Sequence, residues 1–167
     1  MNIYLVGFMG TGKTSVGRQL AKDQGWNFID LDELIELKQQ RRIVDIFAQE
    51  GEPYFRKAET KALKEAVKED NFVIACGGGI VTREENILAM KETGLMVCLT
   101  ASPAVIIKRI SGCTHRPLLN VPDPKKQINI LLKLRAPYYA RADKTINTSR
   151  LSLKEVVRKI KALRFAR

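Results

Sequence analysis

The residues best suited to chemistry lie close to the N-terminus. The segment GFMGTGKT, at residues 7–14, fits the pattern GxxxxGK[ST] at every fixed position. It follows the apolar run MNIYLV, which predicts a buried strand, and precedes a helical pattern from about Lys13 to Asp23. Glycines in such a loop leave backbone N–H groups free to converge on phosphate oxygens, and the helix N-terminus adds a favourable dipole. The segment therefore predicts a phosphate-binding loop.

This loop also predicts a nucleotide and a metal ion. We expect Lys13 to reach the β- and γ-phosphates of ATP and the Thr14 hydroxyl to bind Mg²⁺ as the cofactor. The residues expected to bind ATP here are Gly10, Thr11, Gly12, Lys13, Thr14 and Ser15.

Two aspartates follow the second predicted strand, WNFI at residues 26–29. Asp30 and Asp32 are two residues apart, so their side chains point the same way if the strand conformation persists. One carboxylate can orient a water on Mg²⁺ while the other accepts the proton of an attacking hydroxyl group. The alternative is that one of them caps the helix that begins near Leu34. The neighbouring phosphate loop favours the catalytic interpretation.

Three arginines and a glycine run predict an anionic acceptor. Arg56 lies in PYFRKAE, Arg116 in HRPLL and Arg135 in LRAPYY. A guanidinium group suits a planar, bidentate grip on a carboxylate or phosphate. The three glycines at residues 77–79 let an acceptor approach backbone amides without a Cβ in the way. A single arginine is more often a surface residue, so the interpretation rests on the whole set.

Strands that alternate with helices must position these residues. This order predicts an α/β fold with a parallel sheet covered on both faces and with ligands at the carboxyl ends of the strands. Residues 111–124 contain a glycine and three prolines and predict an exposed, mobile loop. The other predicted strands are 71–76, 94–100 and 144–147, and the other predicted helices are 34–68 (with a helix start at Pro53), 84–92, 103–110, 125–139 and 153–163.

Composition limits the class of protein. A chain of 167 residues, 45% hydrophobic, predicts a single domain, and no apolar run approaches the roughly 18 residues that span a bilayer. We expect a cytoplasmic protein with reduced cysteines and no membrane partner. The net charge of +11 is typical of nucleic-acid-binding proteins, but the cations are spaced as on solvated helix faces. We therefore expect no nucleic-acid partner.

The motifs together resemble those of the shikimate kinase family. The resemblance rests on GFMGTGKT, FIDLD, DIFAQEGEPYFRKAE, the GGG run, THRPLL and LRAPYY, in the order of the family from residue 3 to about residue 147. It implies a P-loop NTPase fold like that of nucleoside monophosphate kinases, with five parallel strands. It also implies a substrate-binding helical insertion at about residues 32–61 and a lid at about residues 112–123, within one domain of residues 1–167. The implied reaction moves the γ-phosphoryl group of ATP to the 3-hydroxyl of shikimate.

The resemblance implies a role for each matching residue. Lys13, Asp32 and Arg116 match catalytic residues, with Asp32 holding the reacting hydroxyl group and Arg116 near the transferred phosphate. Asp30 matches a residue near Mg²⁺, acting through water, and Arg109 one that stacks on adenine. The residues that match shikimate contacts are Asp32, Arg56, Gly78, Gly79 and Arg135; Phe47 and Phe55 match pocket walls, and Glu59 an acid that orients Arg56.

One departure and two rival interpretations stand beside this resemblance. Asn147 occupies a position near the expected adenine pocket where the family often has an acidic residue.

A related kinase of gluconate or of nucleoside monophosphates shares the phosphate loop and lid, without the combination of Arg56, the glycine run and Arg135. A nucleotide-dependent nucleic-acid-binding or regulatory protein is suggested by net charge alone. We expect a monomer, since no heptad pattern predicts a helical partner.

Overall fold

The computed structural model describes residues 1–111 and 121–163. Within these ranges no helix is both long and apolar enough to cross a membrane. The strands are β1 (Asn2–Val6), β2 (Asn27–Asp30), β3 (Phe72–Ala75), β4 (Gly94–Thr100) and β5 (Lys144–Asn147). The helices are α1 (Lys13–Gln24), α2 (Leu31–Gln39), α3 (Ile43–Ala66), α4 (Glu84–Thr93), α5 (Pro103–Ile110), α6 (Pro124–Tyr139) and α7 (Leu153–Lys161), with a 3₁₀ turn at Ile80–Thr82.

The strands form one parallel sheet in the order β2-β3-β1-β4-β5. The predicted five-stranded parallel sheet is therefore confirmed. Strand β1 lies at its centre, with Leu5 opposite Ala75 on one side and Val97 on the other. Because the strands run in one direction, the segments that follow them meet at one edge of the sheet.

Both faces of the sheet are covered by helices, as expected for parallel strands. Alternate residues of β1 enter different cores. Tyr4 and Val6 pack with residues of α3, α4 and α6. Ile3 and Leu5 pack with residues of α1 and α7 on the opposite face. The central strand is thus buried on both sides, which explains its continuous apolar run.

Glycine is required where the phosphate loop leaves β1. Gly7 has a φ of 133°, and a Cβ at this position would lie 2.1 Å from the carbonyl oxygen of Leu99 in β4. Gly12 also has a positive φ, 97°, directly before α1. These two positions let the loop turn tightly against the end of β4.

The helical region after β2 differs in detail from its prediction. A single pattern from Leu34 was expected, but α2 begins earlier, at Leu31, because Asp30 caps it. Within α3 the backbone leaves the helical conformation at Gly51 (φ 81°, ψ 173°). The helical conformation resumes after this break, close to Pro53, where a helix start was predicted. The predicted lid overlaps residues 112–120, which lie outside the described residues.

Replacement of Ile160 by alanine tests the anchoring of α1 by α7. Ile160 is fully buried between α7 and the sheet, and α7 packs on α1, the helix that follows the phosphate loop. We expect Ile160→Ala to lower the free energy of unfolding by about 2–5 kcal/mol, measured by urea denaturation. The control Leu37→Ala removes a side chain that is 75% exposed and should change it by less than about 0.5 kcal/mol. Equal effects of the two substitutions would contradict this packing.

Candidate active site

A cleft at the carboxyl edge of the sheet brings together most of the predicted site residues. Its walls come from the phosphate loop, the start of α2, both halves of α3, the glycine run after β3 and α6. The predicted residues that line it are Lys13, Thr14, Asp30, Asp32, Phe47, Phe55, Arg56, Glu59, Gly77, Gly78, Gly79 and Arg135. Met9, Ile43 and Cys76 complete the lining and were not predicted.

The side chain of Lys13 lies over its own loop. Its Nζ donates hydrogen bonds to the carbonyl oxygens of Gly7 and Phe8, each at 2.9 Å. The Thr11 hydroxyl donates to the Phe8 carbonyl at 2.8 Å, which closes the loop from within. The ammonium group is therefore held beside the backbone amides where phosphate binding was predicted.

Asp30 caps α2, which is one of the two alternatives that the sequence left open, and it also contacts the phosphate loop. Its Oδ1 accepts hydrogen bonds from the backbone N–H groups of Asp32 at 3.0 Å and Glu33 at 3.4 Å, which caps α2. Its Oδ2 accepts a hydrogen bond from the Thr14 hydroxyl at 2.7 Å. The carboxylate is thus fixed beside the phosphate loop by the start of the helix.

The geometric argument that paired Asp30 with Asp32 was wrong. Strand β2 ends at Asp30, and Asp32 lies in the first turn of α2, so strand alternation does not relate the two side chains. Asp32 nevertheless lines the cleft because the helix turns its side chain toward the glycine run. A Cβ on Gly77 would lie 3.0 Å from Oδ1 of Asp32.

Thr14 and Asp30 suit a magnesium ion. Both offer hard oxygen ligands. The Thr14 hydroxyl oxygen, in the first turn of α1, lies 2.7 Å from Oδ2 of Asp30. Mg²⁺ prefers oxygen and is usually held by one or two carboxylates together with substrate phosphates and waters. The residues present therefore fit Mg²⁺ bound together with a nucleotide.

Arg56 is held by two acids of its own helix. Its Nε and Nη2 donate to Oε1 of Glu52 at 3.1 and 2.9 Å, and its Nη1 donates to Oε2 of Glu59. The Arg56 side chain is 11% exposed. A Cβ on Gly79 would lie 2.3 Å from Cζ of Arg56, so glycine is needed for the guanidinium to occupy this place.

Glu59 is a buried carboxyl group in the wall of the cleft. Its Oε1 has no hydrogen-bond partner among the described residues, and a Cβ on Gly77 would lie 2.2 Å from it. Burial raises the pKa of Glu59 to about 7, although the ion pair with Arg56 opposes this rise. The negative charge of Asp32 raises it further. Glu59 therefore titrates near neutral pH.

Arg135 approaches the glycine run from α6. It is 5% exposed, and its Cζ lies 5.7 Å from the centre of the Phe8 ring, within cation–π range. A Cβ on Gly78 would lie 3.2 Å from its Nη1. The Arg135 guanidinium, which was predicted to bind the acceptor, therefore packs on Phe8 of the phosphate loop. The sequence did not predict this contact.

Phe47 and Phe55 pack together in the lining of the cleft, whereas Arg109 contacts the phosphate loop outside that lining. The Phe47 and Phe55 rings pack with centroids 4.8 Å apart across the break in α3. Arg109, in the last turn of α5, donates to the carbonyl oxygen of Gly10 and to both oxygens of Thr148, each at 3.1 Å. It thus joins the phosphate loop to the segment after β5. Arg116 lies outside the described residues.

Asn147 ends β5 and stabilises the turn that follows. Its side-chain carbonyl accepts a hydrogen bond from the Ser149 backbone N–H at 2.9 Å. The next residue, Thr148, donates from its hydroxyl to the Thr11 carbonyl at 3.1 Å. This segment therefore adjoins the phosphate loop.

The fold and site define a P-loop kinase of a small, anionic acceptor. The family model described as shikimate kinase matches residues 9–164. A shikimate kinase from Thermodesulfovibrio yellowstonii is 46% identical over 159 residues, covering 95% of this chain and 92% of that protein. The chain belongs to the shikimate kinase family.

Solved structures agree with this assignment. A shikimate kinase from Acinetobacter baumannii, determined in complex with shikimate, has a TM-score of 0.93 and 40% identity, over 96% of this chain and 90% of that one. A gluconokinase from Sinorhizobium meliloti has a TM-score of 0.57 and 16% identity, over 95% and 87% of the chains. The second likeness shows the fold alone, so it adds no support to the rival gluconate kinase interpretation.

Replacement of Glu59 by glutamine tests its raised pKa through stability. The ordinary pKa of a glutamate is 4.5 and that of Glu59 in the folded chain is about 7, so the folded state retains the proton between these values. The free energy of unfolding should therefore fall as pH rises from about 4.5 to about 7, and this fall should be smaller in Glu59→Gln. Urea denaturation of both proteins at several pH values between about 4.5 and 7 measures this change in the free energy of unfolding.

The control for this test is Glu92→Gln, at an exposed position in α4. It should follow the pH dependence of the unsubstituted chain. If Glu59→Gln also followed that curve, the raised pKa of Glu59 would be excluded.

Proposed function

We propose that this chain transfers the γ-phosphoryl group of ATP to the 3-hydroxyl of shikimate, giving shikimate 3-phosphate and ADP. The observation that carries the proposal is the pair of largely buried arginines, Arg56 and Arg135, against a glycine run beside Asp32 and the phosphate loop. Such a cleft suits a small hydroxylated acid with one carboxylate. The name of the family and of the relatives points to the same acceptor.

The two arginines bind the acceptor carboxylate in this proposal. Planar guanidinium groups match a carboxylate in a bidentate way, and their donors are preorganised by Glu52, Glu59 and the Phe8 ring. The backbone of Gly78 and Gly79 contacts the acceptor where a side chain would displace these arginines. Phe47 and Phe55 cover the apolar face of its ring.

Asp32 receives the proton that the acceptor loses. The 3-hydroxyl oxygen attacks the γ-phosphorus, its proton passes to the Asp32 carboxylate, and the bond from the γ-phosphorus to the bridging oxygen of ADP breaks. Lys13 and the loop amides hold the phosphates in line with this attack. Most of the rate enhancement then comes from alignment and from offsetting negative charge.

The cofactor in this proposal is Mg²⁺ bound with ATP, held by Thr14 directly and by Asp30 through water. Held there with ATP, Mg²⁺ would supply positive charge that offsets the negative charge of the phosphates. Arg116, outside the described residues, is proposed to act near the transferred phosphate from a lid that closes over both substrates. Arg109 is proposed to contact adenine, since it lies beside the phosphate loop.

We further propose a cytoplasmic monomer that acts without a nucleic-acid partner. Several surface cations are paired with acids, as in Lys64 with Glu85 and Arg141 with Glu84. Such pairs reduce the local positive field that non-specific binding of phosphate backbones requires.

The acceptor is tested by measuring ADP release with Mg-ATP and a panel of acceptors. The panel contains shikimate, gluconate and nucleoside monophosphates, together with a control reaction that lacks an acceptor. We expect turnover with shikimate alone, and a loss of about 10²–10⁴-fold in kcat in Asp32→Asn, because the proton acceptor is removed. Turnover with another acceptor only would overturn the proposal, and so would ADP release that no acceptor increases.

Replacement of Gly79 by alanine tests the place of Arg56. The added methyl group would overlap the end of the flexible Arg56 side chain and displace its guanidinium rather than the backbone. We expect KM for shikimate to rise on the order of tenfold, while KM for ATP stays unchanged. Steady-state kinetics with each substrate varied in turn would measure both.

Gly25→Ala is the control for this substitution. Gly25 has a φ of 66°, and a methyl group added there would have no atom within 4 Å, so alanine strains the backbone at the end of α1 without touching Arg56. It should lower stability and leave both KM values unchanged. An unchanged KM for shikimate in Gly79→Ala would argue against the role of Arg56.

A further inference from the structure

The hydroxyl group of Tyr139 lies beneath the proposed acceptor site. Tyr139 is the last residue of α6 and is 7% exposed. Its hydroxyl donates a hydrogen bond of 2.6 Å to the carbonyl oxygen of Gly78. The phenol therefore restrains the backbone of the glycine run without belonging to the lining of the cleft.

The direction of this hydrogen bond follows from the chemistry of its neighbours. A carbonyl oxygen only accepts, so the hydroxyl proton points at Gly78 and the oxygen lone pairs face elsewhere. The guanidinium of Arg135, which only donates, lies beside this oxygen. Burial raises the pKa of Tyr139 to about 12, and Arg135 partly opposes the rise. The phenol thus keeps its proton at neutral pH.

Tyr139 and Arg135 are four residues apart on α6, so they share one face of the helix. Arg135 is bounded on another side by the Phe8 ring. Gly78 adjoins both side chains, since its carbonyl oxygen accepts from Tyr139 and a Cβ on it would be 3.2 Å from Nη1 of Arg135. The guanidinium, the phenol and the backbone carbonyl therefore form one polar cluster at the glycine run.

We infer that Tyr139 is a positioning residue that sets the place of the Arg135 guanidinium relative to the Gly78 backbone. The inference rests on the proposed function, in which these two groups bind the acceptor. Tyr139 lies behind them and acts through them. Its hydroxyl holds the Gly78 carbonyl, and its oxygen offers negative potential beside the guanidinium, whose N–H groups remain directed to the substrate carboxylate.

This role affects binding more than chemistry. The carboxylate of the acceptor does not react, so its contacts are equally strong in the ground state and in the transition state. Loss of such contacts raises KM and leaves kcat nearly unchanged. A general loss of structure would instead reduce the active fraction and lower the apparent kcat for all substrates.

The test is Tyr139→Phe, which removes the hydroxyl and keeps the ring. We expect KM for shikimate to rise about tenfold, as for the loss of one hydrogen bond to a charged group. The value of kcat should change by less than about threefold, and KM for ATP should not change. The matched control is Tyr138→Phe, which removes the neighbouring phenol, 38% exposed, and should leave all three values unchanged.

Arg135→Lys and the double variant separate this inference from the proposed function. If Arg135→Lys raises KM for shikimate and Tyr139→Phe does not, the positioning role is overturned and the arginine clamp stands. If neither raises it, the clamp itself fails and the inference fails with it. If both raise it, the double variant should resemble Arg135→Lys alone, because the two substitutions remove one shared contact.

A rise in KM for shikimate that simply multiplied in the double variant would also overturn the inference, since independent effects add in free energy. Thermal unfolding of Tyr139→Phe completes the experiment. Kinetics are measured where each variant is fully folded, so a parallel loss of kcat and of ATP affinity under those conditions would mark a merely structural role.

Discussion

The parallel pairing of β1 with β3 is the constraint on which the site depends. It makes the two strands end together, and the pairing continues one step beyond β3 in a backbone hydrogen bond of 3.0 Å from Cys76 to Leu5. The phosphate loop and the glycine run therefore leave the sheet side by side, so close that a Cβ on Gly78 would lie 3.5 Å from the Gly7 carbonyl oxygen. In the proposed function, a nucleotide phosphate on one loop and an acceptor on the other are therefore neighbours, as in-line transfer requires.

Buried charge is the main energetic cost of this arrangement. Arg56, Glu59 and Arg135 are largely removed from water, and a buried charge is tolerated when it is paired and hydrogen-bonded. Arg56 satisfies this with two carboxylates, whereas Arg135 is stabilised by the face of the Phe8 ring. Glu59 satisfies this condition only in part, because its Oε1 has no hydrogen-bond partner among the described residues. The raised pKa of Glu59 reflects the unfavourable burial of its charged form. Apolar residues of similar volume often stabilise such positions as well, so in the proposed function these charges serve recognition of the acceptor.

The fold and the specificity have separate origins. The likeness to a gluconokinase at 16% identity shows that the same fold occurs in a kinase named for a different acceptor. In the proposed function, recognition of the acceptor rests on α3 and α6, the helices that bring Arg56 and Arg135 to the glycine run. The break at Gly51 and the Phe47–Phe55 contact across it shape the α3 wall of the cleft.

The sequence by itself determined the elements whose signals are local. The phosphate loop follows from its glycine spacing, and the strand β4 follows from a short apolar run. Only the tertiary structure decided that Asp32 faces the glycine run from a helical turn, that Phe8 supports Arg135 and that Tyr139 binds the Gly78 carbonyl. That last contact joins residues 61 positions apart. Propensity and periodicity act over a few residues, whereas these contacts arise from helices packed on a sheet, where side chains distant in the sequence meet.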